Sequence, residues 1–175
     1  MTLVRALVGV LVVAVALVLQ VTLFPHVSWQ GIVPNLVLLV VAGAALTRGP
    51  QLGMLLGFVA GLALDLAPPA DHVAGRWALA LVLVGYVAGR VRHDSPGFAA
   101  RPTATAVVLA VAASSFVGTS AFALSGLLLG DLDVGIPGLL QVIAIGVLWD
   151  VLLTPFVLPW VMRLFTALQP RRAAL

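Results

Sequence analysis

Two aspartates stand inside apolar runs, Asp65 within Leu62-Ala63-Leu64-Asp65-Leu66 and Asp150 within Trp149-Asp150-Val151. Carboxylates so placed are the first candidates for chemistry, as a general acid and base or as a proton relay. Depth separates them. At 1.5 Å per residue Asp65 lies about 22 Å along its helix from one face, and Asp150 about 20 Å along its own from the opposite face. In a hydrocarbon core about 30 Å thick this sets them roughly 10 Å apart, too far to share a proton. Asp65 then has two readings. It is either a helix-end acid paired with Arg76 across a short connection, fixing one helix against the next, or a charge that orders a surface used by a partner. Asp150 is one helical turn from Thr154 and either accepts that hydroxyl or faces a polar seam between helices.

The other reactive residue types form no constellation. His26, His72 and His93 are isolated from one another and from any nucleophile, so none has metal-ligand spacing. The chain has no cysteine, which excludes disulfides, thiolate metal sites and thiol nucleophiles. Ser114, Ser115, Ser120 and Ser125 lie in an apolar helix without a base at matching depth, where hydroxyls bond the carbonyl of the preceding turn. No phosphate-binding loop, nucleotide-binding turn or acid-rich diphosphate motif is present. The expectation is a protein that is not an enzyme and carries no cofactor or metal.

The elements that position these residues are apolar. The chain has 175 residues, 62% hydrophobic and 9% charged, with its polar residues confined to short connections, which points to lipid as the solvent. It reads as a single integral membrane domain over 1–175, all-α and polytopic. Six transmembrane helices are expected, over about 4–24, 32–46, 51–67, 74–89, 103–129 and 137–165. The first run continues to Phe24 without a small-x-small cleavage site, so it reads as a span rather than a signal peptide. Pro34-Asn35 opens the second run as a helix start, with Asn35 satisfying free backbone amides. In the third, Gly53, Gly57 and Gly61 fall on one stripe that another backbone can approach closely, with Phe58 beside it. That stripe serves either a seam within the fold or an interface, a second copy of the chain included. The fifth run is longer than the hydrocarbon core and should tilt. Pro155 and Pro159 should kink the last run or divide it into a membrane helix and an interfacial tail. Gln20 and Gln141 are single amides suited to bonds across helices, and Trp29, Trp77 and Trp160 fall near span ends as interface anchors.

Six spans place the connections on alternating sides. One side receives Arg5, Arg48, Arg90, Arg92, Arg101, Arg163, Arg171 and Arg172; the other receives only Arg76, with Asp71, Asp131 and Asp133. Arginines are retained in the cytoplasm, so both termini should be cytoplasmic. The same spread over several loops argues against a nucleic-acid surface.

With these residues in hand, the chain resembles the MreD family of rod shape-determining membrane proteins. The resemblance rests on Pro34-Asn35-Leu36-Val37-Leu38-Leu39, on Gly57-Phe58-Val59-Ala60-Gly61-Leu62-Ala63-Leu64-Asp65-Leu66, and on Gly75-Arg76 leading through Leu79 and Ala80 to Tyr86. It implies a non-catalytic component of the cell-elongation machinery in a bacterial cytoplasmic membrane. The implied partners are MreC, which has one membrane helix and a periplasmic body, and, directly or through it, the RodA glycosyltransferase and its penicillin-binding transpeptidase. Gly53, Gly57, Phe58, Gly61, Asp65, Arg76, Pro34 and Asn35 are the candidate structural or partner-facing residues. The family fold is similar to that of the substrate-binding subunits of energy-coupling-factor transporters, so the rival reading is a subunit that binds a vitamin.

Overall fold

The fold was obtained as a computed structural model and is described for residues 2–68, 73–95, 97–98, 102–130 and 135–168. Among the described residues, six helices with defined bounds follow in order: α1 (Thr2–Thr22), α2 (Leu36–Arg48), α3 (Pro50–Leu66), α4 (Arg76–Asp94), α5 (Ala104–Leu128) and α6 (Ile136–Ala167). A short 3₁₀ turn, Phe24–Val27, follows α1.

The centre of the molecule is α2. Every residue from Leu36 to Thr47 is buried, as expected of a helix apolar on all sides. It packs against α1, α3, α4 and α6. Its 13 residues make about 20 Å of helix, less than a hydrocarbon core. The expected span over 32–46 is therefore a helix only from Leu36. Pro34 is responsible, because its ring disfavours helical conformation at Val33, and the chain before it forms an isolated bridge between Trp29 and Ile32. Non-helical backbone leading into an apolar bundle is tolerated where protein surrounds it, and Pro34 is fully buried.

The third and fourth helices form an antiparallel pair joined by glycine. A Cβ on Gly53 would stand 2.6 Å from Ala45 Cβ and 2.7 Å from the Gly85 carbonyl oxygen, and one on Gly57 would strike the Leu81 carbonyl. A Cβ on Gly61 would stand 2.5 Å from the Ala78 nitrogen. The stripe meets a second one on α4, where Gly85 lies over Gly53 and Gly89 over Pro50. Gly89 is consequently a packing position and not a helix end, and α4 runs on to Asp94, five residues past the expected limit of 89.

The last helix also departs from expectation, running unbroken from Ile136 to Ala167 through Pro155 and Pro159. Both prolines are on its exposed side. The opposite side, Asp150, Thr154, Leu158, Val161 and Phe165, is buried, and Val161 and Leu158 close over Gly43 of α2. Removing two amides on the outer side costs local hydrogen bonds, but packing along the inner side keeps the helix from dividing.

The exterior is apolar. Leu128 is 86% exposed, Ile136 73% and Trp160 71%, an unfavourable surface in water. Helices α5 and α6 are long and apolar enough to cross a membrane. Successive helices alternate in direction, which collects Arg48, Arg90 and Arg92 at one end of the bundle and Arg76 at the other.

Candidate functional site

The buried polar groups gather at the starts of two helices. Gly75, in the left-handed conformation at φ 98°, ends the connection into α4 and offers no side chain to cap it. Asp65, at the end of α3, does so instead. One carboxylate oxygen accepts from the amides of Gly75 (2.8 Å) and Ala78 (3.1 Å), and the other from Trp77 (3.0 Å). A carboxylate on a helix N-terminus satisfies donors that lack helical partners and complements the helix dipole. Arg76 directs Nη2 to the Phe122 carbonyl of α5 at 2.9 Å and lays its guanidinium over the Phe122 ring at 4.1 Å. Trp77 stacks on the same ring at 4.1 Å. Asp65 thus ties α3 to α4, and Arg76 ties α4 to α5.

Asp65→Ala is expected to cost about 3 kcal/mol, since three amides lose a charged acceptor together. Hydrogen exchange at residues 75–79 should accelerate while that of α2 does not. An unchanged exchange pattern would show that the cap contributes nothing.

The start of α2 is deeper, and its donors are met from three directions. The Asn35 side chain accepts from the Leu38 amide at 2.9 Å. Gln20 of α1 accepts from the Val37 amide at 3.0 Å. Asp150 of α6 accepts from the Asn35 amide at 3.0 Å through one oxygen, and from the Ser115 hydroxyl of α5 at 2.6 Å through the other. Four elements therefore converge on one buried helix terminus. Thr154 donates to the backbone carbonyl of Asp150 at 2.7 Å and not to its carboxylate. Ser114 and Ser125 bond carbonyls of the preceding turn, whereas Ser115 turns away to Asp150. Gln141 donates through Nε2 to the side-chain oxygen of Gln30, a second hydrogen bond of a glutamine across segments.

Above this centre lies a cavity of about 280 Å³. Gln20, Asn35 and Asp150 line its polar side, with Trp77, Phe122 and Val142 among its apolar walls. Asn35 is 6% exposed, and its Nδ2 has no hydrogen-bond partner among the described residues.

The structure distributes the sequence candidates over two roles. Gly53, Gly57 and Gly61 are consumed by α4, so this stripe offers no face to a partner or to a second copy; the α4 backbone already occupies the approach that a missing Cβ permits. Phe58 lies on the other side of α3, 49% exposed. Asp65, Arg76, Pro34 and Asn35 are internal. Phe122, Gly85 and Gly89 belong to the same framework and were not identified as contacts from the sequence, and Ser115, expected to bond a carbonyl of its own helix, donates to Asp150 instead. The four-residue spacing of Gly85 and Gly89, matching that of Gly53 and Gly57, is the signal that would have found the second half of the seam.

No curated protein and no solved structure matches the chain. The model of the family described as rod shape-determining protein MreD matches residues 1–111 of the 175, spanning α1 to α4 and the beginning of α5. These are the segments that carry the capped start of α2 and the glycine seam, and on that match the chain belongs to the MreD family, a membrane protein of rod-shape determination.

Proposed function

We propose that this chain is a multi-pass, non-catalytic platform of the cell-elongation machinery in a bacterial cytoplasmic membrane, with both termini in the cytoplasm. In this reading it binds MreC and, directly or through it, RodA and the penicillin-binding transpeptidase, helping to couple peptidoglycan synthesis to rod shape. Family membership carries the proposal. The internal chemistry supports it, because Asp65, Asp150, Gln20 and Asn35 are engaged in holding helix starts, a use that fixes shape.

The third helix suits docking. One side is locked on α4 through glycine, which makes the helix rigid, while Leu55, Phe58, Val59 and Leu62 on the other side are exposed. A preorganised apolar face with an aromatic anchor is what a neighbouring membrane helix would pack against. Purification of the chain in mild detergent should recover MreC and the synthases. Replacing Phe58 and Leu62 together by alanine should cut that recovery several-fold without lowering the unfolding temperature. Full recovery with the double variant would exclude this face, and failure to recover MreC with the native chain would defeat the proposal.

The cavity beside Asn35 favours a second reading, a small-molecule subunit of a vitamin transporter. At about 280 Å³ it lies at the small end of ligand pockets. Recovery of an ATPase pair and a bound metabolite in the same purification would select that reading instead.

A further inference from the structure

The arginine-bearing end of the bundle contains a cavity of about 520 Å³, formed where α2 turns into α3 and where α4 ends. Arg48, the Gly49-Pro50-Gln51 turn, Arg90, Arg92 and His93 line it. The side chains come from separate elements and two of them are anchored. Arg48 donates through Nη1 to the Leu168 carbonyl at 3.3 Å, and Arg92 through Nη1 to the Leu46 carbonyl at 3.1 Å. A guanidinium has five N–H donors, so one anchoring bond fixes its position and leaves most of its fork for another acceptor. Arg90 pairs with Asp94 at 3.0 Å in an exposed geometry, with side chains 47% and 52% accessible. Asp94 is the one acid at this end among the described residues, since Asp65 and Asp150 serve the helix starts elsewhere. Three arginines against one aspartate leave the cavity about two charges positive, His93 not counted.

The backbone adds to the same field. The first turn of α3 borders the cavity, and no side chain caps it, because the residue at that position is Gly49. An uncapped N-terminus contributes partial positive charge and amide donors. Only a few residues along α3 the surface becomes apolar, with Leu55 62% exposed. A concave basic site bordering an apolar exterior matches an anionic head carried on an acyl tail.

We propose that this cavity binds a phosphate group, that of an anionic phospholipid headgroup. The guanidinium forks match phosphate oxygens in pairs, and their anchoring to carbonyls makes the site preorganised. The proposal is independent of whether the chain binds MreC.

The test is native mass spectrometry of the full chain in detergent, supplied with equimolar phosphatidylglycerol, cardiolipin and phosphatidylcholine. The anionic lipids should be retained at least tenfold over phosphatidylcholine. Arg48→Gln combined with Arg90→Gln should lower that retention at least threefold. If loss of the Arg48 anchor prevents folding, Arg90→Gln with His93→Gln, neither of which carries an anchoring bond to another helix, should give a smaller loss in the same direction. Equal retention of all three lipids would overturn the proposal, as would a preference that neither double variant changes. A parallel arm with millimolar inorganic phosphate separates the two sources of the ligand. Displacement of bound lipid assigns the site to free phosphate and overturns the lipid assignment, whereas persistence of the lipid upholds it.

Discussion

Substituting alanine for Gly57 is expected to disrupt the pairing of α3 with α4 and to cost at least about 3 kcal/mol. The added methyl would strike the Leu81 carbonyl, with the carbonyl carbon at 2.6 Å and the Val82 nitrogen at 3.0 Å. Backbone cannot rotate aside as a side chain can, so the two helices must separate. Separation would also loosen Gly53 from Gly85 and Gly61 from Ala78, because all three contacts lie along one seam. Thermal unfolding in detergent should show a midpoint lower by roughly 10 °C. Gly9 provides the control. A Cβ there meets nothing within 4 Å, so Gly9→Ala should be neutral or stabilise α1 by about 0.5–1 kcal/mol through helix propensity. Equal effects at the two positions would mean that close approach of the backbones is not what the seam contributes.

Asp150→Ala should be of similar size, about 4 kcal/mol. Two donors buried in the bundle, the Asn35 amide and the Ser115 hydroxyl, lose their acceptor together, and each unsatisfied group costs about 1–3 kcal/mol. Asp150 is 1% exposed, so both donors are lost within the bundle. Asp150→Asn should recover roughly half of the loss, because the amide oxygen still accepts from Asn35 while the Ser115 hydroxyl can turn to accept from the new amine. The midpoint of thermal unfolding reads this directly, and hydrogen exchange should locate the damage at residues 35–38. An Asn variant no better than the Ala variant would show that charge, rather than the supply of an acceptor, is what the position requires.

These two positions mark how far the linear chain could be read. The composition, the absence of thiols, the helix start at Pro34-Asn35 and the glycine spacing in α3 are properties of single residues or of one helical period, and they are visible without knowing what lies opposite. The observed starts of α3, α5 and α6 lie within one residue of the expected spans for the same reason: proline, threonine and glycine mark ends locally. Where a boundary depends on a neighbour, local marks mislead. Gly89 looks like a stop and is a contact with Pro50, and Pro155 and Pro159 look like breaks in a helix that packing on α2 keeps whole.

What the residues alone determine is an apolar, helical, thiol-free membrane chain with two acids in positions where charge is costly, and those two acids are the ones that hold helix starts. Only the tertiary structure decides which starts they hold. Asp65 reaches amides 10 to 13 positions away, and Asp150 reaches across 115 positions to Asn35. The physical reason is that a carboxylate in a low-dielectric bundle must find donors, but the requirement names a chemical type and not a residue. The packing of α2 at the centre brings the unsatisfied amides of its first turn to Gln20 and Asp150, and no periodicity in the sequence encodes that meeting.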